Sequence, residues 1–136
     1  MGYSDPKDPR SDKRRRTQAR RVAELASAHD LDTEYVVVAG DLNSDPSSWS
    51  LEALVTHPGL YNVNLELPAE QRSTFRTGSQ QLDYLFLSQA LRSHLAGVHI
   101  ERRGIYTKTK WPHYPEVTST RTQASDHGAV VADFSL

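Results

Sequence analysis

The chain has 136 residues, the size of one domain, and 37% of them are hydrophobic, which is enough for a modest core. No apolar run approaches the roughly 18 residues of a membrane-spanning helix, and the basic amino-terminal residues are not followed by the apolar stretch of a signal peptide. A cytoplasmic location is compatible with this sequence. The absence of cysteine excludes disulfides, thiolate zinc sites and cysteine nucleophiles.

Charge is unevenly distributed along a chain whose net charge is −1. Residues 1–21 contain eight Lys or Arg and three Asp, whereas the remainder contains eight basic and fourteen acidic residues. The basic run could lie near phosphates, but a solvated helix face is the simpler interpretation. An isoelectric point near 6.6 does not indicate that the chain as a whole binds nucleic acid.

The first predicted element is a helix. Residues 1–12 are polar and predict a loop, and a helix is predicted from residue 12 or 13 to residue 29 because apolar residues recur at helical spacing. These residues are Ala19, Val22, Ala23 and Ala26.

A strand is predicted next, at residues 35–39. Every position in it is apolar, so both of its faces are expected to be buried. A short helix at 47–55, an irregular segment at 60–72 and a short strand at 73–75 follow.

The second half of the sequence predicts three strands, at 82–88, 98–102 and 128–134, with a short helix at 89–94. Residues 104–124 form a long loop. A loop of this length in a compact chain is usually functional or mobile.

Polar residues lie at the ends of three predicted strands. Asp41 follows the first strand, Asp83 begins a later strand, and Asp126 and His127 precede the final strand. If these groups converge, the two later strands must run antiparallel to the first, so the sheet is mixed or antiparallel with one polar rim. Each position alone is explained by an ordinary turn or strand start. Three together, with a His and an Asn among them, favour a site.

The chemistry of this set can be predicted from its residue types. Carboxylates and an amide without a thiol suit a hard cation such as Mg²⁺ or Mn²⁺. A His beside a carboxylate can act as acid, base or phosphate partner, an Asp can orient water, and an Asn can donate an N–H to a phosphoryl oxygen. No Ser or Cys arrangement indicates a covalent intermediate. The set therefore predicts metal-assisted hydrolysis of a phosphoester by water.

Four short blocks occur in order along nearly the whole chain. They are Gly40-Asp41-Leu42-Asn43, Ser73-Thr74-Phe75, Gln81-Leu82-Asp83-Tyr84-Leu85-Phe86-Leu87-Ser88 and Ala124-Ser125-Asp126-His127-Gly128. This ordered set resembles the endonuclease/exonuclease/phosphatase superfamily, which includes DNase I-like nucleases, apurinic endonucleases, sphingomyelinases and inositol phosphatases. The resemblance implies an α/β fold, half of the four-layer αββα DNase I-like sandwich, with residues 1–136 forming one domain that matches its C-terminal half.

The resemblance also implies a role for each site residue. Asp41 would orient or activate the water, and Asn43 would bind the scissile phosphate or support Asp41. Asp83 would orient the imidazole of His127, and Asp126 would face the metal, Mg²⁺ or Mn²⁺. His127 would contact the phosphate and act as acid, base or electrostatic stabiliser.

Other residues near these motifs are expected to have no catalytic role. Thr74 and Tyr84 are expected to pack around the site. The remaining histidines match no motif and are expected on the surface or in loops: His29, His57, His94, His99 and His113.

The resemblance covers only the second half of the family fold. The first half normally supplies an Asn near the first strand, a metal-binding Glu and a phosphate contact, and this sequence has no counterpart of these blocks. We therefore expect the chain to be a fragment or a truncated form. It should bind metal poorly and hydrolyse little substrate until the missing half is restored.

The predicted function is metal-dependent phosphodiester hydrolysis, with a nuclease acting on nucleic acid as the leading interpretation. A phosphatase or phospholipase-type enzyme with the same site is one alternative, and a catalytically silent half-domain that acts by binding or assembly is another. An apolar strand without cover invites self-pairing. The isolated chain is thus expected to associate through Val36, Val38, Leu85 or Leu87.

Overall fold

In the computed structural model, which describes residues 9–136, five strands form two antiparallel sheets. The α-helices are α1 (Pro9–Ser27), α2 (Glu52–Val55) and α3 (Gln89–Arg92). The strands are β1 (Val37–Asp41), β2 (Leu60–Asn62), β3 (Asp83–Ser88), β4 (Leu95–Glu101) and β5 (Ala129–Phe134). Short 3₁₀ helices lie at Trp49–Leu51, Val63–Glu66 and Ala69–Gln71.

The sheets have a simple topology. One contains three strands in the order β1-β3-β2, and the other contains β4 and β5. All the pairings in them are antiparallel, including β1 with β3. The predicted α/β class with antiparallel strands is confirmed, and the architecture is consistent with part of a DNase I-like fold.

The predicted apolar stripe of α1 is buried against β3. Ala19 is fully buried, and Ala23 and Ala26 pack in the same cluster as Tyr84 and Phe86. The two rings stack with centroids 5.3 Å apart. Because alanines on the helix leave room for large side chains on the strand, these rings fill the space between α1 and the sheet.

The arginine run of α1 is not simply a solvated face, which corrects that prediction. The side chain of Arg15 is only 6% exposed and donates to Asp12 at 2.7 Å. The guanidinium of Arg16 lies 3.8 Å from the centre of the Trp49 ring and 3.3 Å from the carboxylate of Glu52. Arg15 therefore forms an ion pair within α1, whereas Arg16 connects α1 to Trp49 and to Glu52 of α2.

Several element bounds differ from the sequence prediction. α1 begins at Pro9, inside the predicted loop, because the fixed φ of proline suits the first helical turn. Residues 1–8 of that loop lie outside the described residues. The segment 60–72 contains β2 and two 3₁₀ helices, each too short to show a periodic pattern. β1 begins and ends two residues later than predicted, so its last residue is Asp41.

Only one face of β1 is buried, whereas both faces were predicted to be. Val36 and Val38 pack against the cluster beneath α1. On the opposite side Tyr35 is 56% and Val37 47% exposed, and Ala39 is exposed as well. We call Val37 and Ala39, together with Tyr35 just before the strand, the outer face of β1. β1 is also the edge strand of its sheet, so within the described residues this face lacks cover.

The two sheets meet through β3. Leu87 is fully buried and clusters with Val63 and Leu91 against Val98 and Val130 of the second sheet. Side chains alternate along a strand, so β3 fills the layer under α1 with one face and the layer between the sheets with the other. Leu87 is therefore unavailable for the predicted dimer interface. None of the described helices is long and apolar enough to cross a membrane.

Candidate active site

Two carboxylates lie side by side where β1 ends and β3 begins. Asp41 and Asp83 are directly paired in the antiparallel register, which places both side chains on one face of the sheet. Gly40, just before Asp41, has φ +154°, and the chain turns after Asp41, with Asn43 at φ +49°. The backbone N–H of Asn43 donates to Oδ1 of Asp41 at 2.8 Å. Like charges directly opposite each other are unfavourable, so this position favours a cation.

His127 reaches these carboxylates through a short bridge that precedes β5. It forms an isolated antiparallel bridge with Phe75, fixed by the N–H of Arg76 donating to the carbonyl of Asp126 at 3.0 Å. The Phe75 ring meets the imidazole edge-on at a centroid distance of 5.2 Å. Gly128 packs so closely here that a Cβ would lie 2.8 Å from Ile100. The segment carrying His127 is therefore held from both sides.

The central interaction of the site joins His127 to Asp83. Nδ1 of the imidazole donates to Oδ2 of Asp83 at 2.8 Å, and the two side chains are 26% and 20% exposed. Because an ionised carboxylate only accepts hydrogen bonds, this contact places a proton on Nδ1. Nε2 is then the ring nitrogen that Asp83 does not engage. It lies 4.0 Å from Oδ1 of Asp126.

The surroundings of His127 act on its pKa in opposite directions. Partial burial lowers the pKa, but the hydrogen bond with Asp83 and the negative charges of Asp83, Asp41 and Asp126 raise it. The pKa of His127 therefore lies above its usual value. A raised pKa keeps more of the imidazole charged near neutral pH, which suits a group that contacts phosphate.

Thr74 anchors the start of β3, a role that the sequence analysis did not assign to it. Its fully buried Oγ1 accepts hydrogen bonds from the N–H groups of Leu82 at 2.9 Å and Asp83 at 3.1 Å. Its carbonyl accepts from the N–H of Gly128 at 2.7 Å. Thr74 therefore contacts the segments that carry both members of the Asp83–His127 pair. The Ser73-Thr74-Phe75 block was the sequence signal for this position.

Tyr84 is a packing residue in this structure. Its hydroxyl donates to the carbonyl of Ser44 at 2.7 Å. Burial, followed by the charges of Asp45 and Asp83, raises the pKa of Tyr84 well above its usual value. The phenol therefore stays protonated and supports the turn after Asn43.

A pair of buried amides lies below the start of β3, and the sequence analysis missed both. Nε2 of Gln81 donates to Oδ1 of Asn62 at 3.2 Å, and both residues are buried. Their positions in irregular or short segments gave no periodic signal. The pair connects β2 to the chain just before Asp83.

Three of the five predicted site residues form one tight group. Asp41, Asp83 and His127 each offer an atom that lies within 4.8 Å of the others, a geometry compatible with a metal ion. Asp126 lies next to this group, beside Nε2 of His127. Asn43 is linked to it through its backbone contact with Asp41.

A sequence profile of the Endonuclease/Exonuclease/phosphatase family matches residues 4–127 of this chain. The chain belongs to that family. Endonuclease/Exonuclease/phosphatase proteins are generally hydrolases of the phosphodiesterase, nuclease or phosphatase type, and divalent metals are typical of them. Searches of curated proteins and of solved structures found no match to the chain.

Proposed function

We propose that this chain hydrolyses phosphodiester bonds of nucleic acid with the help of a divalent cation, Mg²⁺ or Mn²⁺. The observation that carries the proposal is the 2.8 Å hydrogen bond between His127 and Asp83, with Asp41 paired to Asp83 in the neighbouring strand. This arrangement places the imidazole of His127, oriented by Asp83, beside Asp41, whose carboxylate can accept a proton.

The proposed mechanism divides the work among four side chains. Asp83 fixes the tautomer and orientation of His127, so that Nε2 approaches the phosphate. In its charged form His127 stabilises the negative charge that develops on the phosphoryl oxygens, and it can donate a proton to the leaving oxygen. Asp41 orients the attacking water and accepts its proton. Asn43 offers its side-chain N–H to the phosphate.

The residues present fit a weakly held hard cation. Mg²⁺ is commonly bound by one or two carboxylates together with substrate phosphates. Asp41 belongs to the group whose geometry is compatible with a metal ion and would hold the cation, with Asp126 facing it from beside His127. The direct pairing of Asp41 with Asp83 supports this assignment, because a cation relieves their repulsion. When bound, the cation would polarise the phosphoryl oxygen and offset part of the negative charge of the phosphate.

Hydrolysis of bis(p-nitrophenyl) phosphate and of a labelled oligonucleotide, with Mg²⁺, Mn²⁺ or EDTA, tests this proposal. We expect slow, metal-dependent hydrolysis that falls by at least about 10²-fold in His127→Ala, the low end for losing a general acid–base group. His29→Ala is the matched control, because His29 also contacts a carboxylate, Glu34 at 3.0 Å, but lies in another part of the chain. Equal activity of His127→Ala and the wild type would contradict the proposal.

A second candidate is a site that acts only after assembly with another polypeptide segment. It is favoured by the uncovered outer face of β1, where Val37 is 47% exposed. Because side chains alternate along a strand, Val37 lies on the same side of β1 as Asp41. Activity that rises steeply with protein concentration would support this candidate. Hydrolysis that is proportional to protein concentration and sensitive to His127→Ala would favour the first proposal.

A further inference from the structure

The loop that joins β4 to β5 has a composition unlike the rest of the chain. Residues 102–124, which we call the aromatic-basic loop, contain five Lys or Arg and a single Glu, although the whole chain has a net charge of −1. Ile105 and Val117 are buried, and the Arg102 side chain donates to the backbone carbonyls of Gln71 and Ser73, which ties the loop to the body of the protein. The loop therefore presents its charge from a fixed position.

Cations and aromatic rings alternate within this loop. The Arg102 guanidinium lies 5.0 Å from the centre of the Trp111 ring, and the Lys110 ammonium lies 5.9 Å from the same centre. Arg103 lies over Tyr114 at 4.8 Å, but its charge is balanced by an ion pair with Glu101, so Arg102 and Lys110 are the cations beside Trp111. Arg102 donates to the carbonyl of Ser73 at 3.1 Å, a neutral partner that leaves its charge in place. Aromatic platforms flanked by cations are the usual means of binding single-stranded nucleic acid.

Trp111 also lines a cavity of about 320 Å³. This volume lies near the lower end of small-molecule pockets and suits one nucleotide unit. The other lining side chains include His99, Glu101 and Arg103. Apolar surface from Ile100, Trp111 and Pro112 lies beside these polar side chains, a combination that fits the flat face of a base together with its polar edge and sugar.

The cavity lies close to the candidate active site. The stem of Arg102 packs against Gly128, where a Cβ would lie 3.2 Å from Cγ of Arg102, and Gly128 follows His127 directly. Lys110 donates to the carbonyl of Thr77, in the turn after Phe75. A strand whose phosphate lies at His127 could thus reach Trp111 with a neighbouring base.

We propose that the aromatic-basic loop binds an unpaired nucleobase of a single-stranded polynucleotide by stacking on Trp111, while Arg102 and Lys110 contact the adjacent phosphates. This inference rests on the proposed phosphodiesterase function, because it supplies the substrate class of the same site. The loop then selects unpaired strands, since a base within a duplex is already stacked and cannot reach the ring.

The test is binding of a fluorescein-labelled single-stranded oligothymidylate, followed by fluorescence anisotropy in EDTA so that no hydrolysis occurs. Trp111→Leu is expected to weaken binding at least about fivefold. Trp49→Leu is the matched control, because Trp49 also lies under an arginine, Arg16 at 3.8 Å, but is located beside α1. Trp111→Phe, which keeps a stacking ring, should lose less binding affinity than Trp111→Leu.

Salt dependence provides a second measurement. Lys110→Ala should reduce the slope of log Kd against log salt by about 0.7, the value for losing one phosphate contact on a single strand. Equal losses in Trp111→Leu and Trp49→Leu would overturn the inference. So would equal binding of duplex and single strand, or tighter binding to phosphatidylglycerol vesicles than to the oligonucleotide.

The same samples separate this inference from the proposed function. One outcome is that bis(p-nitrophenyl) phosphate is hydrolysed in a His127-dependent way, but Trp111→Leu does not weaken oligonucleotide binding. This outcome overturns the inference about the loop and retains the proposed hydrolase function. Oligonucleotide binding that depends on Trp111, without metal-dependent hydrolysis, overturns the hydrolase and supports the loop as a single-strand binding surface.

Discussion

At the scale of single residues, the site depends on an imidazole held between three carboxylates. The hydrogen bond at 2.8 Å fixes the ring of His127 through Asp83, and the charges of Asp41 and Asp126 add to the effect on its pKa. Orientation and charge of the imidazole therefore have the same structural origin, so one substitution at Asp83 should change both.

Asp83→Asn should lower the pKa of His127, because it removes the hydrogen bond to an ionised partner and the nearest negative charge. An NMR titration of the imidazole protons in EDTA measures this directly, with Glu34→Gln as the control. A pKa of His127 that is unchanged in Asp83→Asn would contradict the assignment.

The same contact has a consequence for stability. The pKa of His127 is raised in the folded chain, so its contribution to stability is fully present below the unfolded pKa of about 6.5. That contribution is lost as pH rises through the folded pKa. The stability advantage of the wild type over Asp83→Asn should accordingly shrink at alkaline pH, as measured by urea unfolding.

Thr74 offers a second prediction at this scale. Thr74→Val removes the acceptor of two N–H groups at the start of β3 and should lower the free energy of unfolding by about 1–3 kcal/mol, the cost of unsatisfied buried donors. Thr74→Ser keeps the acceptor and is the control. Urea unfolding compares the two variants, and a loss in Thr74→Val no larger than that in Thr74→Ser would contradict the role assigned to Oγ1.

The sequence could identify site residues because strand ends can be recognised from short patterns. Asp41, Asp83 and His127 each lie next to an apolar strand, and the antiparallel pairing that joins the first two follows from requiring them to converge. The pattern could not reveal that Thr74 binds two backbone N–H groups, because that contact spans eight or nine residues of irregular chain. Nor could it predict that Arg15 is buried, since charge patterning assigns a lysine- and arginine-rich run to solvent.

At the scale of elements, β5 is placed by the close packing of Gly128 against β4. Gly128→Ala would bring a Cβ to 2.8 Å from Cγ2 of Ile100 and 3.1 Å from the carbonyl of Glu101. We expect a loss of about 1–3 kcal/mol in the free energy of unfolding from this overpacking. The matched control is Gly97→Ala in β4, whose Cβ would meet Asp133 at an ordinary 3.6 Å. Equal stability of the two variants would contradict this account.

The elements themselves were predictable to different degrees. α1, β3 and β5 have clear periodic or alternating patterns, and the structure contains each of them within a few residues of the predicted bounds. β2 has only three residues, and its pairing with β3 depends on contacts that local patterns do not encode. The outer face of β1 was predicted to be buried because the strand is apolar at every position. An apolar run shows that both faces are able to be buried, but it does not show whether another element covers each of them.

At the scale of the whole molecule, the outer face of β1 leads us to expect self-association. Tyr35 and Val37 are about half exposed, and β1 forms the edge of its sheet. An exposed apolar edge strand can pair with another copy. Static light scattering should therefore detect dimers or larger species at tens of micromolar protein.

Val37→Lys is the variant that tests this expectation, because a charge on an edge strand opposes pairing. It should shift the chain towards the monomer, whereas Val55→Lys, at another exposed valine, should not. A wild-type chain that remains monomeric would contradict this expectation, because the outer face of β1 would then be stable while exposed to water.

The hydrogen bond between His127 and Asp83 also makes the site sensitive to motion between the two sheets. Asp83 belongs to the three-stranded sheet, whereas His127 precedes β5 of the other sheet, so one hydrogen bond between side chains spans the two. A shift of one sheet by little more than an ångström would separate Nδ1 from its acceptor while both sheets kept their own ladders. Substitutions in the layer between the sheets would thus change the alignment of His127 with Asp83, and the proposed hydrolysis would respond to the relative position of the two sheets.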